Sequence, residues 1–520
     1  MSKICDVSTA VAAIKDGQSV ASTGIIGWLT PDVVLRAIGE RFESTGAPRD
    51  LTFFFPCATG DAVGIRGMDH VARPGLMRRI VSGSYINPRH PETGARPALS
   101  QLIQNDRIEA YNWPIGATMH WLREVARRSP GYLTRIGLGT YIDPRQGGGK
   151  FTSLAKDDLV ELVEFRGEEY LFYPAWPLDV GVIRAGSADE EGNLSFEDQP
   201  LISSALDLAL AVKAGGGTVI AQVSRIVPRG SRPARDVRIP GALVDHIVVA
   251  PGEPVGTGVQ DDPGYLGVVP EVLSRLPRLP AGADKIIARR VARELRPGET
   301  SIFGFGASSD AVLALAEDGG LGDGGPGAHR FTTEHGSFGG VVMSGWQFSA
   351  NYAPEALLDG AAQFDFIDGG GCPFAALAFA QIDAACNVNV NRFGSAAPGA
   401  GGFIDIADSA RRLVFAGTLT TGGLEVACEG GELNILREGT IDKFVAESDH
   451  ITYRIGEGVR RGQQARIITE RAVFDVTPDG LELIEVAPGI DLRRDVLDRI
   501  GFPVRRSGEL TAMDPELFRP

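Results

Sequence analysis

The chain predicts an α/β protein of two tandem, related open domains with mostly parallel sheets. Three observations point there. Its 520 residues exceed what one hydrophobic core serves, and chains of this size divide into domains. Short apolar runs alternate with helical patterns along the whole length, punctuated by 67 glycines. The order of segments near the N-terminus also recurs near residue 285.

Residues 7–17 have the pattern of a short amphipathic helix ended by Gly17 rather than of a signal peptide. The runs at 18–22, 51–55, 218–223, 245–250, 300–305 and 412–417 are rich in Val, Ile and Phe and short enough for buried strands. Helical stretches at 31–42 and 310–318 stand between such runs, and strands alternating with helices imply parallel sheets. In the first helix Thr30 is placed to cap, Pro31 suits the first turn, and Val34, Ile38 and Phe42 share a face.

The echo runs as follows. Helix, strand, glycine loop and helix over 7–42 recur over 285–318, aligning Gly17 with Gly298. Further on, "ADEEGNLS" (188–195) matches "IDAACNVN" (382–389), pairing Asp189 with Asp383 and Asn193 with Asn387. The Pro-rich segment 275–285 divides the halves, giving expected domains 1–280 and 281–520. A cleft between two such domains, outside the strand C-termini, is where a site is expected.

Composition excludes several classes. Net charge is -15 and the pI is near 5.1, without a basic stripe for nucleic acid. The five cysteines lack CxxC spacing and imply free thiols in a reducing cytoplasm. The seven histidines make no HxxxH or HExxH pair, so no metal site is expected. No apolar run reaches the roughly 20 residues of a membrane helix.

Four stretches could carry chemistry. At 302–309 a strand enters a glycine loop, with Ser308 or Ser309 as cap; amides there could meet an anion, though the spacing is not GxGxxG and a tight turn explains it. Three glycines between Arg145 and Lys150 suggest a mobile loop able to hold an anion, without the P-loop pattern. The cluster Gly399, Gly401 and Gly402 precedes a helical pattern; N–H groups without a neighbouring Cβ can approach an oxyanion, although composition alone favours a plain turn. Finally, "TTEHGSFGG" (332–340) sets Glu334 among glycines, and a carboxylate can be a covalent nucleophile on an activated acyl group without metal or separate base. His335 beside it reads as a surface hydrogen-bonding group or as a partner that keeps the carboxylate anionic.

The runs 364–394, 399–406, 414–425 and 467–492 resemble family I coenzyme A transferases of the single-chain propionate/acetate type, and 137–150 and 185–197 are similar to that group's N-terminal domain. The resemblance implies a duplicated CoA-transferase fold whose second half carries the nucleophile, in the motif E-x-G-x-x-G-G at Glu334–Gly340. It implies amides of Gly399, Gly401 and Gly402 in an oxyanion hole, with Gly304 and Gly306 in a second loop near coenzyme A. Coenzyme A is then a co-substrate, with no tightly bound cofactor, and the partners are acyl-CoA and small carboxylic acids around a homodimer or homotetramer. Ping-pong transfer through an acyl-glutamyl anhydride and a glutamyl-CoA thioester follows, with acyl-CoA hydrolysis or a non-enzymatic acyl-CoA sensor or complex subunit as alternatives. This chain departs from the pattern in having Ile115 where relatives carry glutamine, and Met343 and Trp346 where they carry small residues. Those three and Asn351 are expected to shape an acyl pocket unsuited to acetate.

Overall fold

The computed structural model describes residues 2–86, 88–267, 273–321 and 328–519. The first half is built on β1 (Ser19–Ser22), β2 (Leu51–Phe55), β3 (Met77–Ser82), β4 (Glu109–Asn112), β5 (Val180–Asp189), β6 (Thr218–Val227) and β7 (His246–Val249). These stand in the order β7-β6-β5-β1-β2-β3-β4, every neighbouring pair parallel. Helices α1 (Val7–Ala12), α2 (Asp32–Thr45), α3 (Ile115–Ala126) and α4 (Ala205–Ala214) link them. All ten residues of β5 are buried, as a strand covered on both faces requires.

The second half repeats the plan. β8 (Thr300–Phe303), β9 (Arg330–Thr332), β10 (Ser337–Phe338), β11 (Phe374–Ala378), β12 (Arg412–Ala416) and β13 (Gln464–Ile468) are joined by α5 (Ala283–Ala292), α6 (Asp310–Glu317), α7 (Gly360–Asp368) and α8 (Phe403–Ser409). Its parallel core runs β13-β12-β11-β8-β9, matching β7-β6-β5-β1-β2 strand for strand. Beyond β13 the sheet continues antiparallel through Ala472–Thr477 and Gly480–Val486.

The echoed residues do equivalent work. Gly17 and Gly298 both have positive φ, +74° and +84°, and their N–H groups donate to Arg49 O and Ala328 O just ahead of β2 and β9. Asp189 accepts from Glu191 N, Asn193 N and Asn193 Nδ2; Asp383 accepts from Ala385 N, Asn387 N and Asn387 Nδ2. Each aspartate satisfies a tight turn that backbone carbonyls cannot reach.

Local caps depart from expectation. Helix α1 ends at Ala12, and Gly17 instead forms the turn into β1. Thr30 does not cap α2, because its hydroxyl donates to Ile26 O at 3.1 Å; Asp32 supplies the acidic first turn. Ser308 and Ser309 likewise donate back to Gly304 O and Gly306 O, at 2.9 and 2.7 Å, and leave the first N–H groups of α6 without a side-chain cap.

The halves are laced together along one seam. The loop before α8 exchanges backbone bonds with the strand ends of the first half: Tyr85 N to Pro398 O (2.7 Å), Gly401 N to Gly83 O (3.0 Å) and Ile115 N to Gly401 O (3.0 Å). Asn112, at the end of β4, accepts Ala400 N at 2.9 Å. Trp28 Nε1 donates to Phe348 O at 3.1 Å from the other side.

Replacing Asp383 by alanine strands the buried Asn387 N–H, the Ala385 N–H, the Asn387 side-chain amide and the Ser448 hydroxyl. We expect a loss of about 2–3 kcal/mol, seen as a lower thermal midpoint. The exposed substitution Glu164→Ala should stay within about 0.5 kcal/mol of the parent.

Candidate active site

Glu334 lies at the turn between β9 and β10, where Thr332 pairs with Phe338 across a hairpin. The turn is tied on both sides. Thr333 Oγ1 donates to Ser349 O at 2.7 Å, and Gln363 Nε2 from α7 donates to Thr333 O at 2.8 Å. Gly336 has φ +92°, and a Cβ there would stand 2.3 Å from Leu358 O. Any other residue would push the hairpin off the loop ahead of α7, and Glu334 with it.

The carboxylate opens into a cavity of about 420 Å³. Its walls are the residues just past the strand C-termini of both sheets: Ile26 after β1, Cys57 after β2, Ser84 and Tyr85 after β3, Gly304 and Phe305 after β8, Phe379 after β11. The crevice at the carboxyl ends of parallel strands is the usual ligand position in such sheets, and here two sheets share it. Aromatic side chains stand among small and aliphatic ones on these walls: Tyr85, Phe305, Trp346, Phe348, Phe379, Phe393 and Phe403.

The loop 398–402 closes the cavity over Glu334. A Cβ on Gly402 would lie 2.7 Å from Glu334 Oε2, so only glycine leaves that oxygen its place. The amides of the cluster are not equivalent. Gly399 N–H goes to Asn391 O and Gly401 N–H to Gly83 O. The Gly402 N–H, one residue ahead of α8, has no acceptor among the described residues. The expectation of several oxyanion donors therefore narrows to one free amide; the Gly401 amide is engaged in holding the halves together.

Two titratable groups flank the nucleophile candidate. Burial disfavours charge on His335, but Cys57 and Glu334 more than offset it and raise its pKa to about 9. Far from being a surface group, this ring is fully buried. Burial, with the Asp368 carboxylate adding to it, pushes Asp405 well above the usual carboxylate range. Asp405 sits in the first turn of α8 with Oδ2 unpartnered. This shift toward the neutral form lessens the negative charge facing Glu334 on that side.

Of the residues singled out from sequence, Glu334, Gly304, Gly399, Gly401, Gly402 and Trp346 line the cavity. Four do not. Gly306 (φ +112°) forms the turn ahead of α6, its carbonyl taken by Ser309. Ile115 is buried beneath the glycine loop, with Cδ1 4.0 Å from the Cβ position of Gly401, so it supports that loop from below. Met343 is buried away from the cavity. Asn351 is a fully buried strut whose Nδ2 holds Gly339 O at 2.7 Å. The Gly139–Lys150 loop has no free cation: Arg145 is bonded to Asp143 and Glu169, and Lys150 to Asp158. What the sequence left unmarked are Cys57, Tyr85, Phe348, Phe379 and Phe393. Several follow strand ends directly, which was the available signal.

Comparison with known proteins agrees with this architecture. The family model for Coenzyme A transferase matches residues 5–250. The chain is 38% identical over 499 residues to acetate CoA-transferase YdiF of Escherichia coli K12, covering 95% of this chain and 90% of that protein. It is 38% identical over 528 residues to caffeate CoA-transferase of Acetobacterium woodii, covering 100% and 98%. The crystal structure of the E. coli O157:H7 acyl-CoA transferase YdiF, a thioester complex with CoA, superposes with a TM-score of 0.89 at 36% identity, covering 100% of this chain and 96% of that one. With near full-length identity and the same duplicated fold, this chain belongs to the coenzyme A transferase family and is an enzyme that transfers coenzyme A.

Proposed function

We propose that Glu334 is the nucleophile of an acyl-CoA:carboxylate CoA-transferase working by ping-pong exchange. The observation that supports this best is one carboxylate at the mouth of an apolar cavity, with Oε2 against Gly402 and the Gly402 N–H free. Glu334 attacks the thioester carbonyl of a donor acyl-CoA; the C–S bond breaks and CoA thiolate leaves, giving a mixed anhydride. The thiolate attacks the glutamyl carbonyl and expels the donor acid, giving a Glu334–CoA thioester. An acceptor carboxylate then reverses both steps and leaves as the new acyl-CoA. No proton changes hands overall, so the exchange calls for no general base.

Each step passes through a tetrahedral oxyanion, and the unpartnered Gly402 amide, next to Glu334 Oε2, is the donor we assign to it. One such donor is worth about 10²–10³ in rate. The apolar walls exclude water and strengthen every charge interaction inside them. We assign residues 1–280 and 281–520 as the two domains, since the Pro-rich segment between them starts the repeated plan. The free cysteines support a cytoplasmic enzyme, and the family resemblance supports a homodimer or homotetramer.

The acyl group is larger and more apolar than acetyl on this reading. Trp346, Phe348 and Phe305 stand on the cavity wall, Phe305 and Phe348 edge to face with ring centroids 5.7 Å apart.

Glu334→Gln should abolish acyl exchange, by at least about 10³-fold, in a protein that still folds; activity within tenfold of the parent would remove the mechanism. Gly402→Ala should lower kcat by about 10²-fold or more through displacement of Oε2, and an unchanged kcat would remove Gly402 from the site. In an acceptor panel, branched or aromatic acids should exceed acetate in kcat/KM by about tenfold, and Trp346→Ala should narrow the gap. Preference for acetate over all larger acids would contradict the acyl assignment.

A further inference from the structure

His335 is next to the nucleophile in sequence and is held from the other half of the molecule. Its Nδ1 lies 3.2 Å from the Ser203 hydroxyl. Ser203 belongs to the loop ahead of α4, has φ +49°, and accepts Gly360 N–H at 3.0 Å. A serine in that backbone region is strained, and such strain persists where the surrounding structure enforces it. The seam therefore fixes Ser203, and Ser203 fixes the imidazole.

The other ring nitrogen is the informative one. Nε2 is buried without a hydrogen-bond partner, and it faces Glu334 Oε1 at 3.6 Å. A buried donor left unmade costs about 1–3 kcal/mol, so a native chain that keeps one calls for a reason. The two carboxylate oxygens of Glu334 thus meet different surroundings: Oε2 lies against Gly402, Oε1 against His335.

We propose that His335, oriented across the seam by Ser203, is the second oxyanion donor of the site and acts on Glu334 Oε1. The inference rests on the transferase reading above. Oxygen accounting gives it chemical sense. The Glu334 oxygen that attacks the donor becomes the bridging atom of the anhydride and departs with the donor acid. The other oxygen remains the glutamyl carbonyl through anhydride and thioester. Whenever thiolate or carboxylate attacks that carbonyl, negative charge gathers on it. With Oε2 at Gly402 as the attacking atom, Oε1 is the oxygen that stays, and a short movement closes the 3.6 Å gap to hydrogen-bond length as charge builds. The ring is faced by Glu334 on its own hairpin, by Ser203 ahead of α4 and by Cys57 beyond β2. A proton on Nε2 costs least when Oε1 is negative, in the resting carboxylate and in each tetrahedral state formed on the glutamyl carbon. This selectivity for charged states over the neutral thioester is what lowers a barrier.

The test is single-turnover discharge of the preformed Glu334–CoA thioester by an acceptor carboxylate, from pH 6 to 10. In the parent enzyme the rate constant should be flat at low pH and fall as pH rises through the pKa of His335; the Glu334 carboxylate that helps to raise that pKa is uncharged in the thioester, so the fall should begin below the value of about 9 set in the resting site. His335→Gln should be about tenfold slower and lose this step. Ser203→Ala keeps the ring but removes its anchor, and should be several-fold slower with the step shifted. Should the buried His335 substitution fail to fold, Ser203→Ala decides. Discharge by Ser203→Ala at the parent rate with the parent profile, or a retained step in His335→Gln, overturns the proposal. Absence of any thioester in the parent enzyme is a separate outcome: it defeats the transferase mechanism itself and this proposal with it.

Discussion

Everything at the site depends on how the loop 398–402 is divided between the two halves. It belongs in sequence to the second half but is bonded to the first, through Tyr85, Gly83, Asn112 and Ile115. Asn112 is the hub. Its Nδ2 holds Ser82 O and Gly83 O, and its Oδ1 accepts both Ala400 N and the Tyr141 hydroxyl. Because those bonds are buried, breaking one leaves a polar group without water to replace its partner. The loop is consequently rigid where it meets Glu334, and preorganised donors need no rearrangement as charge develops. The same bonds use up the Gly401 amide, so the rigidity of the loop and its supply of donors are in direct competition.

This division also explains the electrostatics. Glu334 is approached by a glycine from its own half and by a histidine that Cys57 and Ser203 of the first half face. Neither half alone makes the site. A duplicated domain brings two sets of strand C-termini to one cavity, and the copies have diverged there: Thr23 and Gly24 follow β1 where Gly304 and Phe305 follow β8. The first copy supplies walls and anchors, the second the proposed nucleophile, Glu334.

Much of the fold was legible in the sequence because buried parallel strands are continuous apolar runs and because the duplication repeats recognisable turn residues. The equivalence of Asp189 and Asp383 came from sequence alone, and both hold the same turn. The site was less legible. Glu334 and Gly402 carry a backbone signature, since glycine is required where a Cβ would collide. Met343 and Asn351 follow Glu334 closely along the chain, yet the hairpin turns them into the core. Cys57 and Ser203 lie more than a hundred residues from Glu334 in sequence and Phe379 follows a different strand, and only topology brings them near. His335 looked like a loop residue because burial by a distant segment leaves no local mark. Thr30 failed as a cap for a similar reason: its hydroxyl found Ile26 O, a partner four residues back, ahead of the helix N–H groups.

The central claim is covalent attachment of coenzyme A to one carboxylate. Mass spectrometry of the peptide carrying Glu334, taken from enzyme incubated with an acyl-CoA and trapped with borohydride or hydroxylamine, reads it directly. The account predicts modification at Glu334 that depends on the acyl-CoA and vanishes when acceptor acid is added to excess and the CoA product is removed. An unmodified Glu334 in an enzyme that is turning over, or modification of another side chain in its place, would contradict it.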